Sequence, residues 1–181
     1  DKRVNRLIEA MALVRSRLPG ARCVIIGRGS QLKPLKALTA ERGLDDAITF
    51  AGAIYDDRDL APWMLSAGCF AYPVAIGLSI LHAFGYGLPV VTSDDIAAHN
   101  PEIEALVPGQ NGLLYRDGDI EDFATCIERC MQDSDERRRL ADGALATVTG
   151  PDGYTIEGMS AAMANAVRWA VASKRDQPRS R

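Results

Sequence analysis

Long hydrophobic runs are missing from the 181 residues: none approaches the roughly 18 consecutive apolar positions a membrane-crossing helix needs. No secretory leader is expected in this stretch, because charged residues stand near the N-terminus where its apolar core would lie. There is no C-x-x-C pair. Cys23, Cys69, Cys126 and Cys130 occur singly inside expected strands and helices, which excludes a disulfide framework and points to buried, reduced thiols. Cys126 and Cys130 lie four apart on a helix and could share a metal, but the two histidines are far away in sequence, so packing is the expected role. An excess of one charge is missing too. With 21 Lys+Arg against 24 Asp+Glu and a sequence pI near 5.4, nothing marks a nucleic-acid partner. The exception is a basic tail (Lys174, Arg175, Arg179, Arg181), expected to be flexible and solvated. A cytoplasmic chain is the expectation.

What is present is the composition of one ordinary domain, 47% hydrophobic and 25% charged, large enough to bury about 70% of its unfolded surface. Val4, Leu7, Ile8, Met11, Val14 and Leu18 recur at helical spacing until Pro19-Gly20. A β-branched run, 23–26, ends in Gly27-Arg28-Gly29, and Leu32, Leu35 and Leu38 mark the helix that follows, ended by Gly43. A strand over 47–50 leads through Gly52 and Ile54 into an acidic cap, 56–59, for a helix reaching Ser66. Beyond residue 92 come a short Pro-led helix at 101, a strand over 113–115, a helix capped by the 117–119 Asp-Gly-Asp, and a charged helix from 133 to about 147. The break at Gly150-Pro151-Asp152-Gly153 precedes a last helix whose Ile156, Met159, Met163 and Val167 stripe must pack somewhere.

Regular strand–helix alternation with apolar strands implies a doubly wound, Rossmann-like parallel α/β sheet covered on both faces. Residues 1–150 are expected to form that domain, and 151–181 a helix packing on it or crossing back from it, with the tail. A chain that opens on a helix is expected to lack the first, central strand of such a sheet. Its neighbours must then pair directly or lean on something outside the sequence, since each buried unpaired backbone group costs about 1–3 kcal/mol.

Ligands in such sheets bind beyond the carboxyl ends of the strands. The richest segment there is 72–92, Y-P-V-A-I-G-L-S-I-L-H-A-F-G-Y-G-L-P-V-V-T: a strand, a turn at Gly77-Leu78-Ser79, a helix closed by Gly87 and a second strand. Unpaired N–H groups where that helix starts suit an anion such as a phosphate. The plainer reading is a connector, with His82 a core histidine, His99 a loop residue, Lys2 a solvated lysine and Glu102 a helix-start carboxylate.

Taken in order, Lys2-Arg3-Val4, Val24-Ile-Ile-Gly-Arg-Gly29, Ile48-Thr-Phe-Ala-Gly52, Tyr72-Pro73, Gly77-Leu78-Ser79, His82-Ala83, Gly87-Leu-Pro-Val-Val91, Pro101-Glu102 and Asn111-Gly112-Leu113 resemble the C-terminal, nucleotide-sugar-binding half of GT-B retaining glycosyltransferases of the glycosyl transferases group 1 family. The resemblance implies a metal-independent hexosyltransferase. Its donor is a nucleotide sugar of unnamed base acting as substrate, with no cofactor and no metal. Its saccharide or lipid-linked acceptor is held by an N-terminal half outside this sequence, through which alone any contact with the inner membrane face would run. By the same resemblance Lys2 is the catalytic cation beside the diphosphate, partnered by an arginine ahead of residue 1. Gly77, Leu78 and Ser79 receive the phosphates, Gly52 to Ile54 read the base, and Gly27 and Gly29 line the cleft.

Two family glutamates flanking the turn are replaced here by Val74 and His82. Valine cannot bond a sugar, whereas histidine can still bond a ribose hydroxyl. A non-catalytic nucleotide-sugar-binding module is therefore the alternative. A dinucleotide oxidoreductase ranks last, because Leu32 stands where the third glycine is needed and the strand ending at Phe50 brings no acid for a ribose.

Overall fold

The computed structural model describes residues 2–150 and 153–175. Pro151, Asp152 and the tail beyond Arg175 lie outside the described residues. In chain order the elements are α1 (Val4–Arg17), β1 (Cys23–Ile26), α2 (Leu32–Glu41), β2 (Ile48–Gly52), α3 (Asp57–Ser66), β3 (Phe70–Ala71), α4 (Ser79–Gly85), β4 (Val90–Ser93), β5 (Gly112–Tyr115), α5 (Ile120–Gln132), α6 (Ser134–Thr149) and α7 (Ile156–Arg175), with 3₁₀ turns at Ile96–Ala98 and Pro101–Ala105 between β4 and β5.

Every strand pairing is parallel, as expected of α/β alternation. The strands nonetheless form two groups, β1 with β2 and β3-β4-β5, and β1 does not pair with β3. Helices cover both faces. On one, α1 buries Leu7, Ile8, Met11 and Val14 against Phe123, Ile127 and Cys130 of α5, together with Val91 and Leu113. On the other, Ile80, Ala83 and Phe84 of α4 meet Val90, Leu106 and Ala144 of α6. Val90 and Val91 thus point to opposite faces, the period-2 alternation of a strand buried on both sides. Burying each such Val, Leu, Ile or Phe contributes about 1.5–3 kcal/mol.

The expected capping holds. Asp56 accepts from the Arg58 N–H at 2.8 Å, Asp119 caps α5 and Asp133 caps α6. All four cysteines are free and two, Cys126 and Cys130, are buried. Burial pushes the Cys23 thiol up to about 12 and Cys126 to about 11. All four lie in or against the core formed by α1 and α5, and among the described residues no cluster of three or more His, Cys, Asp and Glu is placed to hold a metal.

Two expectations change. The strand expected at the head of the 72–92 segment lies just before it, at Phe70–Ala71, and among the described residues pairs with β4 alone. The apolar stripe of α7 finds no partner surface among the described residues: Met159, Met163, Val167 and Trp169 are 54–73% exposed. No helix among the described residues is long and apolar enough to cross a membrane.

Candidate functional site

The carboxyl ends of β1, β2 and β3 bring most of the expected site residues together. Gly27 donates its N–H to the Gly52 carbonyl at 2.7 Å, so the turns after β1 and β2 are joined. Both need positive φ, 145° and 75°, which glycine alone adopts without strain. Gly29 follows on the exposed loop, where its carbonyl accepts from Leu32 N–H. Ile54 is half-buried, and next to it the exposed Tyr55 ring lies 5.8 Å from the Arg28 guanidinium.

The segment between β3 and α4 is held more tightly than its sequence suggests. The Tyr115 hydroxyl, fully buried, donates to the Pro73 carbonyl at 2.8 Å. Lys2 Nζ donates to the Ala75 carbonyl and lies over the Tyr72 ring, 5.4 Å from its centre. His99 Nδ1 accepts the Ile76 N–H at 3.1 Å, which places the ring proton on Nε2, donating to the Ser93 carbonyl at 3.0 Å. The Asn100 N–H then bonds the Ile76 carbonyl at 2.9 Å. Pro73, Ala75 and Ile76 carry four such bonds between them, two of them at Ile76. The fixation sustains Ala75 at φ 57°, left-handed backbone that costs a non-glycine residue about 1–3 kcal/mol and persists only where the surroundings over-determine it. A Cβ at Gly77 would sit 2.7 Å from Nδ2 of the exposed Asn100 side chain, which would have to turn aside.

Polar contacts continue from this loop back to α1. The Ser93 hydroxyl donates to Asp117 Oδ1 at 3.2 Å, and Asp117 takes Arg6 at 2.7 Å and Arg3 at 3.4 Å. Burial works to raise the Asp117 carboxyl, but its bonds to Arg6 and Ser93 and the charges of Arg6 and Arg3 outweigh that, so it is displaced downward. Arg3 itself has φ 48° and precedes α1 without a side-chain cap. Arg3 and Ala75, the two positive-φ non-glycine residues among those described, thus flank the Lys2 bond.

Leu78 is 66% exposed and Ser79 half-buried, leaving the start of α4 accessible. His82 is exposed rather than in the core, correcting the core-histidine reading; its Nε2 lies 3.6 Å from Asp57 Oδ1 at the start of α3, because one turn into α4 the apolar face is taken by Ile80, Ala83 and Phe84. That contact ties the α4 cluster to the Gly52–Ile54 cluster. Val74, at the other substituted position, is buried. Glu102, half-buried, has its Oε2 without a partner.

Sequence reasoning did not identify His99, Asn100, Ser93, Tyr115, Asp117 or Arg6 as site-forming. His99 carried a faint signal as one of two histidines beside a Pro-led turn. The partners of the others are 24 to 111 residues away and left none.

Comparison with known proteins fits this arrangement. The family model described as "Glycosyl transferases group 1" matches residues 1–133. The lipopolysaccharide core biosynthesis glycosyltransferase LpsE of Rhizobium meliloti is 32% identical over 152 residues, covering 82% of this chain but 42% of its own length. The chain therefore spans about two fifths of that relative. Among solved structures, Anabaena HepE in complex with UDP shares the fold with a TM-score of 0.74 at 22% identity, over 92% of this chain and 45% of the other. The C-terminal domain of the glycosyl transferase group 1 family protein LpcC from Francisella tularensis gives a TM-score of 0.71 at 24% identity, over 85% of this chain and 81% of the other. With the family model running through every element from α1 to the end of α5, the chain belongs to the glycosyl transferases group 1 family.

Proposed function

We propose that residues 1–150 are the donor-binding domain of a metal-independent, retaining glycosyltransferase that moves a hexose from a nucleotide sugar to a saccharide or lipid-linked acceptor. The acceptor is held by a second half of the protein, onto which α7 can lay its exposed stripe and through which any contact with the inner membrane face would run. The observation that carries the reading is the fixed loop 73–77. It delivers the Gly77-Leu78-Ser79 turn to the start of α4 with Lys2 anchored two residues upstream, at Ala75. As a nucleoside diphosphate departs, negative charge grows on its β-phosphate; backbone N–H groups and an ammonium fixed in advance stabilise that charge without reorganising. An ammonium has three donors, so Lys2 can keep Ala75 and still face a phosphate. Gly27, Gly29, Gly52 and Ile54 line the path for the nucleoside, and His82, oriented by Asp57, is placed to bond a ribose hydroxyl.

A second reading is supported by the burial of Val74, which gives the donor sugar no partner at that position: a nucleotide-sugar-binding module without transfer. One assay separates both readings from the oxidoreductase. Thermal unfolding is measured with UDP, GDP, ADP, CMP and NAD. A nucleotide diphosphate at 100 times its dissociation constant adds about 2.7 kcal/mol, roughly 5–11 °C for a chain of this size. Stabilisation by NAD alone would sink the proposal. Donor hydrolysis or transfer by the longer protein then decides between enzyme and module.

A further inference from the structure

Tyr72 stands at the carboxyl end of β3 with its backbone fixed on both sides. Its N–H donates to the Val91 carbonyl at 2.9 Å, carrying the β3–β4 ladder one residue beyond Ala71. Pro73 follows, which holds the residue before it to extended backbone. The Pro73 carbonyl is itself taken by the buried Tyr115 hydroxyl. The side chain is braced as well. Phe70, two residues earlier on the same face of the chain, has its ring 5.8 Å from that of Tyr72 with the planes 15° apart. Both rings pack against the cluster to which Ile80, Phe84 and Val90 belong.

Lys2 is the opposite case. It is exposed and precedes Arg3, whose φ of 48° opens α1 without a side-chain cap. A lysine in such a place is a hydrated charge on a flexible four-carbon stem, free to spread over many rotamers. Here the ammonium is gathered at one point. Nζ donates to the Ala75 carbonyl and lies 5.4 Å from the centre of the Tyr72 ring, inside the ~6 Å at which a negative ring face attracts a cation. The carbonyl alone sets a distance and leaves the ammonium free to swing about it; the ring supplies the second point. Because the ring is held and the lysine stem is not, the ring places the cation rather than the reverse.

We propose that Tyr72 is a positioning residue whose ring holds the Lys2 ammonium beside the loop 73–77. An ammonium has three donors, so one serves Ala75, one side rests on the ring, and a donor remains for an anionic oxygen. A lysine that had to be gathered only when its ligand arrived would lose rotamer freedom at binding, which lowers affinity; Tyr72 has it gathered beforehand. The role requires no contact between Tyr72 and the ligand. Its consequence for diphosphate binding rests on the donor-site reading above, whereas the pairing of ring and ammonium does not.

The pairing is read directly by nuclear magnetic resonance of the protein with its lysine side chains isotope-labelled. The protons beside the Lys2 ammonium should be displaced upfield by the ring current of Tyr72 and return to ordinary positions in Tyr72→Leu. Calorimetric titration with UDP, GDP and ADP then gives a double-mutant cycle on the diphosphate that binds tightest. Tyr72→Leu should weaken it by about 2- to 5-fold, the worth of one exposed cation–π contact. Tyr72→Phe keeps the ring and should recover most of that loss. In a Lys2→Met background Tyr72→Leu should cost less than about 1.5-fold, since the cation it places is gone. Equal losses in both backgrounds would make the ring a packing residue and overturn the proposal. So would Lys2 protons at ordinary positions in the unmodified protein, a measurement that also decides the matter if Tyr72→Leu does not fold. Displaced Lys2 protons in a protein that binds none of the three diphosphates would uphold the pairing and remove the donor-site reading.

Discussion

His99 offers the most direct test of how the candidate site is built. Replacing it by leucine keeps a side chain of similar bulk but removes both ring nitrogens, so the Ile76 N–H and the Ser93 carbonyl lose their partners together. Ile76 and Ser93 are fully buried, and an orphaned buried polar group costs about 1–3 kcal/mol. Because His99 is itself half-buried, water can partly replace it, and the sum falls to roughly 2–4 kcal/mol. For a chain of this size that is a drop in Tm of about 5–15 °C. His99→Gln, whose amide can reach one of the two partners, should recover about half of it. Urea unfolding of the three proteins gives the energies, and exchange of the Ile76 amide reports the bond itself. If His99→Leu costs under about 0.5 kcal/mol, the ring is a passive neighbour and the fixed-loop argument fails.

Tyr115→Phe should cost about 1–3 kcal/mol, since it strips the Pro73 carbonyl of its buried donor, and should weaken nucleotide diphosphate binding if the loop is the phosphate site; calorimetric titration checks both. Gly77→Ala should cost under about 1 kcal/mol, because Asn100 is exposed and its amide can swing away from the new Cβ, as read by urea midpoints. The Asp117 carboxyl sits below its ordinary value, so its contribution is complete above about pH 4 and is lost as pH falls through the lower, folded value. Asp117→Asn should therefore lower stability at pH 7 and converge with the unmodified chain near pH 2, as read by urea midpoints. Ser79→Pro removes a backbone donor from the turn and should weaken diphosphate binding; unchanged affinity would make the turn a connector.

Most of the fold was legible because it rests on local signals. Leu7, Met11 and Val14 at helical spacing, the Asp56, Asp119 and Asp133 caps and the β-branched run at 23–26 each specify an element within a few residues. The turn glycines were legible for the same reason, their positive φ being a local demand. What could not be read was set by distance. Asp117 looked like part of a cap, yet Asp119 caps α5 while Asp117 reaches Arg6, 111 residues earlier in the chain. Tyr115 looked like the end of a strand, and nothing near it announces a bond to Pro73. The exposure of His82 follows from which face of α4 is buried, a property of α6 and β4 rather than of the α4 sequence.

The two strained residues tie these pieces into one physical account. Arg3 and Ala75 each hold left-handed backbone, and each borders a group that the polar contacts pin: Lys2 to Ala75, Arg3 and Arg6 to Asp117, Asp117 to Ser93, Ser93 to His99, His99 to Ile76. The contacts close a circuit from the start of α1 through the ends of β4 and β5 to the loop before α4. A closed circuit resists the local opening that a single bond would allow, because no member moves without disturbing its neighbours. The strain of about 1–3 kcal/mol at each residue is thereby met at folding rather than at binding. If the Gly77-Leu78-Ser79 turn is the phosphate site proposed above, its donors are oriented before the diphosphate arrives, which is where preorganisation raises affinity. It follows that cutting the circuit far from the ligand, at Ser93→Ala, should weaken diphosphate binding, although Ser93 is fully buried and its hydroxyl bonds only Asp117 and the Asp95 N–H. Unchanged affinity in that variant, with the Ile76 amide still protected, would show that the loop is held by its nearest bonds alone.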